Sequence, residues 1–62
     1  MPYKVVNIGG TKYKLWNLNK RQFAPIVFNS KESALNQGVN WMRYRREQPV
    51  IVGNKIININ KN

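Results

Sequence analysis

Cysteine, histidine and aspartate are all missing from this 62-residue chain, and Glu32 and Glu47 are its only acids. Without cysteine there is no disulfide frame, no thiolate nucleophile and no zinc knuckle; without histidine there is no imidazole to relay protons or bind a metal. The two glutamates stand on what the sequence predicts to be one helix, roughly 22 Å apart at 1.5 Å per residue. Paired glycosidase carboxyls work within about 10 Å, divalent cations need several oxygen ligands, and a nucleophilic triad needs a base this chain does not have. A desolvated lysine stays formally open as a nucleophile, but nothing marks one lysine out. The sequence therefore points away from an enzyme and calls for no cofactor and no metal. Long apolar runs are lacking too: Ala24–Phe28 and Val50–Val52 are the longest, far short of the about 18 residues of a membrane span. With no export signal in view, the expected location is the cytoplasm, that of the host if the gene is phage-borne, and no membrane partner is expected.

What is abundant is positive charge. Eleven lysines and arginines face two acids, for a net charge of +9. Such an excess attracts polyanions or acidic proteins. The chain is long enough for one small domain spanning residues 1–62, with a single core supplied by a 42% apolar composition. Asparagine, lysine and isoleucine are all frequent, a bias of AT-rich genomes such as many phages carry.

Two runs of β-branched and aromatic residues surround Gly9-Gly10 and predict a hairpin over residues 3–18. With Gly9 and Gly10 as its two-residue turn, Ile8, Thr11, Val6, Tyr13, Lys4 and Leu15 share one face, expected to be the core side. Asn7, Lys12, Val5, Lys14, Tyr3 and Trp16 share the other, a basic surface with two large rings. A third strand is expected at residues 25–28, at an edge because Pro25 has no N–H to give. Asn29 and Ser30 offer an N-cap, with Glu32 in the first turn, for a helix over residues 31–47. Its apolar stripe is Ala34, Leu35, Gly38, Val39, Trp41 and Met42. Gly38 leaves a second possibility, a helix-turn-helix split at that point. A further hairpin with Gly53-Asn54 at its turn is expected over residues 50–60. The fold class is thus α+β: a small, mostly antiparallel sheet packed on one helix.

Lys12, Lys14, Trp16 and Tyr3 combine charge with flat rings and form the first candidate site, since lysines neutralise phosphates and rings stack on bases. For Trp16 a core position is the equal alternative. Arg43, Arg45 and Arg46, with Tyr44 among them, form a second cluster; arginine forks suit phosphates and guanine edges, and equally complement a helix C-terminus. Lys20, Arg21 and Lys55 extend these clusters if they share a positive face.

The run Pro25–Leu35 resembles the arm-binding domains of phage and transposon integrases, and is similar to the plant ethylene-response DNA-binding domain, at Phe28, Ser30, Glu32 and Ala34. That resemblance implies a three-stranded sheet ahead of one helix, with the sheet lying in the major groove. A competing resemblance takes Ser33–Arg46 as a helix-turn-helix and Val50–Ile59 as a wing, similar to phage excisionases. It would move contact to Asn40, Arg43, Tyr44 and Arg46. Both lead to a small basic DNA-binding protein; the alternative is a phage-type inhibitor of an acidic host protein such as a polymerase, nuclease or defence factor. A homodimer is compatible with either.

Overall fold

The computed structural model describes residues 2–59. Strands β1 (Tyr3–Gly9) and β2 (Lys12–Asn17) form the first hairpin, and β3 (Gln22–Phe23) adds to the outer side of β2. Helix α1 (Lys31–Tyr44) then crosses one face of the sheet, and β4 (Pro49–Val52) and β5 (Lys55–Asn58) form the second hairpin. The antiparallel sheet has the order β3-β2-β1-β5-β4, so β1 ends at the centre, between β2 and β5. The expected α+β class is what forms. Among the described residues no helix is long and apolar enough to cross a membrane.

The first hairpin departs from the expected pairing by one residue. Gly9 stands opposite Lys12, so the two-residue loop is Gly10-Thr11. Gly10 takes a φ of 54°, the positive value wanted at the first position of such a loop, and a bulge between Asn7 and Gly9 absorbs Ile8. Asn7 fastens this turn: its Oδ1 accepts from the Gly9 N–H at 2.9 Å and its Nδ2 donates to the Gly10 carbonyl at 3.1 Å. Beyond the bulge Val5 pairs with Leu15, Lys4 with Trp16 and Tyr3 with Asn17. Because side chains alternate along a strand, the slip inverts β1 and leaves β2 as expected. Tyr3 and Val5 join Leu15 beneath the helix, whereas Lys4 and Val6 turn outward beside Trp16 and Lys14. Tyr3, expected as a surface ring, is a core residue only 6% exposed.

The expected strand at residues 25–28 is also displaced. Pairing with β2 starts earlier, at Gln22 and Phe23, continues through the Ala24 N–H to the Leu15 carbonyl at 2.9 Å, and returns at a single bridge between Phe28 and Tyr13. Two residues too many separate Ala24 from Phe28 for an unbroken ladder, and Pro25 cannot donate, so the segment between them arches away.

Ser30 caps α1, its Oγ accepting from the Ser33 N–H at 3.1 Å, an interaction of about 1 kcal/mol. The helix runs unbroken through Gly38, so the helix-turn-helix division does not form. It also stops earlier than residue 47. Arg46 adopts a left-handed φ of 61°, its N–H reaches the Arg43 carbonyl at 2.9 Å, and the Glu47 N–H reaches the Met42 carbonyl at 2.9 Å. This is a Schellman ending with arginine where glycine is usual. Glu47 thereby leaves the helix, and its Oε2 accepts from Asn58 Nδ2 at 3.2 Å.

The core has the expected helix stripe on one side: Ala34, Gly38 and Met42 are buried, with Leu35, Val39 and Trp41 packed around them. Tyr3, Val5, Leu15 and Ile56 meet them from the sheet. The second hairpin turns at Gly53-Asn54 as expected, with Val52 opposite Lys55 and Gly53 at φ 63°. Asn60, the expected end of that hairpin, lies outside the described residues.

One further turn residue is conformationally costly. Arg21 sits at φ 55° in the β2–β3 connection, its N–H bonded to the Asn17 carbonyl at 2.8 Å. A side chain in this left-handed region costs about 1–2 kcal/mol, partly offset by the greater freedom glycine has when unfolded. Arg21→Gly is therefore expected to stabilise the domain by about 0.5–1 kcal/mol, raising Tm by roughly 4 °C in a circular-dichroism melt. An unchanged or lower Tm would show that the arginine side chain contributes to folding.

Candidate nucleic-acid interface

Helix α1 covers one face of the sheet. The pairing places a row of side chains across the other: Phe23, Trp16, Lys4, Lys55 and Val52, each opposite the next on adjoining strands. Lys14, opposite Val6, and Lys12 continue this face along β2. Four lysines thus lie on the three central strands. Trp16 meets Phe23 edge-on with ring centroids 4.8 Å apart, and the Lys14 Nζ stands 5.6 Å from the Phe23 ring centroid. Lys12 is held toward the edge, donating to Asn29 Oδ1 at 2.9 Å. Neither glutamate belongs to this face: Glu32 is in the first turn of α1, and Glu47 is tied to Asn58 on the helix side.

Lys4 and Lys55 are direct cross-strand partners. Like charges opposite one another destabilise a sheet. Among the described residues no carboxylate is placed to offset them, so folding alone gives no reason for the pair.

The sequence-derived candidates separate into groups. Lys12, Lys14, Trp16 and Lys55 come together on the open face. Tyr3 lies beneath the sheet, where burial pushes its phenol above the ordinary value, the nearby Arg45 draws it down, and Glu47 adds to the rise. Lys20 and Arg45 both line a cleft of about 360 Å³ between the β2–β3 segment and the C-terminal end of α1, walled by Tyr3, Trp41 and Tyr44 and bordered by Phe23. Arg21 and Arg46 occupy exposed turn positions. Arg43 lies apart from these, in a shallow groove with Asn40, Pro49 and Ile51.

Sequence reasoning missed Lys4, Val6 and Phe23 on the open face. The turn dipeptide is ambiguous by one residue for the first two; Phe23 falls outside every element that the sequence predicts. Trp41, expected on the core-facing stripe, packs against the core, and its half-buried ring also lines the cleft. Set against known proteins, the chain matches no family model, no curated relative and no solved structure. The integrase-like and excisionase-like resemblances thus gain no support from relatives, and the local geometry carries the functional interpretation.

Proposed function

We propose that this chain is a non-enzymatic nucleic-acid-binding module that lays the open face of its sheet on double-stranded DNA. The observation that carries this reading is the gathering of four lysines and the Trp16–Phe23 pair on one carboxylate-free face. Strands lie about 4.8 Å apart, so the three lysine-bearing strands span roughly 10 Å, close to the about 12 Å width of the B-DNA major groove. The A-form major groove is too narrow for such a surface, which favours DNA over double-stranded RNA. Lysines supply sequence-independent affinity through counterion release, and the rings at the β3 side supply stacking or wedging.

Fluorescence anisotropy of a labelled random duplex, titrated at several salt concentrations, tests this directly. Four phosphate contacts predict a log–log salt slope of about −3.6. A slope near zero, or no binding at about 50 mM salt, would reject the assignment.

One observation favours a second reading. Val50, Val52 and Ile57 leave an apolar flank beside the lysines, with Val52 56% exposed. A mixed basic and apolar surface also suits an acidic protein, the inhibitor alternative. Under that reading DNA binding is absent, while a protein retained from nuclease-treated lysate is lost when Lys4 and Lys14 are reversed in charge.

A further inference from the structure

The cleft on the helix side is built differently from the sheet face. Tyr44 lines it with 90% of its surface exposed and is not part of the buried cluster, so core packing does not account for this ring. Trp41 forms the inner wall, anchored by Tyr3 at a ring-centroid distance of 5.6 Å. Lys20 and Arg45 add two cations, Gln22 adds an amide, and among the described residues no carboxylate lines the space. Aromatic rings and two cations around a volume of about 360 Å³ describe a site for a small, flat, anionic molecule.

We infer that this cleft binds a single nucleotide, its base against Trp41 and Tyr44 and its phosphate between Lys20 and Arg45. Every base presents a flat face to an aromatic ring, Arg45 offers a fork to phosphate oxygens, and Gln22 can donate to and accept from a base edge. The choice of a nucleotide over other flat anions rests on the nucleic-acid reading above. The same chemistry is offered by a free mononucleotide and by an unpaired, phosphorylated nucleotide at the end of a strand.

The experiment uses the Trp16→Phe chain, in which Trp41 is the only tryptophan, and follows its fluorescence. Adenosine monophosphate is expected to quench Trp41 and to bind about tenfold more tightly than adenosine, which lacks the phosphate. Tyr44→Ala is expected to weaken the nucleotide by about fivefold or more, as loss of one stacking partner predicts. Lys20→Ala with Arg45→Ala should remove the preference for nucleotide over nucleoside. A second arm compares a blunt duplex with one carrying a single unpaired 5′-phosphorylated nucleotide. A Tyr44-dependent preference for the latter, without binding of the free nucleotide, places the source at a strand end. Adding Lys4→Glu should leave binding of the free nucleotide unchanged, which separates the cleft from the sheet face; Lys14 is kept, because it stands over the ring of Phe23, which borders both surfaces. Absence of both nucleotide binding and the Tyr44-dependent preference, or quenching equal in the Tyr44 and Lys20/Arg45 variants, would overturn the inference.

Discussion

Replacing Lys4 and Lys14 together by glutamate is expected to weaken duplex binding by about a hundredfold or more, without loss of folding stability. Each lysine at a phosphate makes a charge-assisted contact of about 1.5–3 kcal/mol, and each reversal adds repulsion. Both side chains lie on the open face, away from the core. At position 4 a glutamate would sit opposite Lys55 and turn a like-charge pair into an attractive one, a gain of about 0.2–1 kcal/mol. At position 14 the change forfeits the contact with the Phe23 ring, a loss of about 0.5–1 kcal/mol. The single Lys4→Glu chain should therefore bind DNA less well while being slightly more stable. A folding defect cannot give opposite signs. Urea unfolding and anisotropy on the same preparations check both, and a stable double variant with unchanged affinity would remove the sheet face from the proposed mechanism.

The role of Lys4 also shows where the sequence was legible and where it was not. The alternation of β2 placed Tyr13 and Leu15 inward and Lys12, Lys14 and Trp16 outward, as the fold has them. The same alternation in β1 was legible as a pattern, but its phase was set by the turn, and Gly9-Gly10-Thr11 admits loops that differ by one residue. Val5 and Val6 are equally apolar, and Lys4 lies beside Tyr3, so composition did not choose the phase. Tertiary packing did: a tyrosine reaching Trp41 and a valine opposite Leu15 fill the space under the helix. The helix stripe from Ala34 to Met42 was fully readable because six apolar positions repeat at helical spacing. Its end was not, because Arg46 occupies a left-handed position that normally announces itself by glycine. The cleft was invisible for a related reason: Lys20 and Gln22 come to line one space with Trp41 and Arg45 only in the folded chain, about twenty residues apart in sequence.

Gly38 explains how the helix comes close enough to the sheet to build either surface. A Cβ at this position would lie 2.5 Å from Ile56 Cδ1 and 3.5 Å from Leu15 Cδ1, and both of those side chains are fully buried. Alanine would gain about 1 kcal/mol of helix propensity. Against this stands overpacking of a closed core, about 1–3 kcal/mol or more where neighbours cannot move. The zero exposure of Ile56 and Leu15 makes the steric cost the larger, so Gly38→Ala is expected to destabilise the domain by about 1–2 kcal/mol in urea unfolding. Gly38→Leu should leave no cooperative transition, because a domain of this size has only about 3–5 kcal/mol to lose. Removing the obstructing methyl with Ile56→Val alone should cost about 0.5–1.5 kcal/mol. In the double variant Gly38→Ala, Ile56→Val the two losses should overlap, leaving it at least about 1 kcal/mol more stable than additivity predicts. Strict additivity, or stabilisation by Gly38→Ala alone, would show slack between helix and sheet and undo the account of Gly38 as their point of contact.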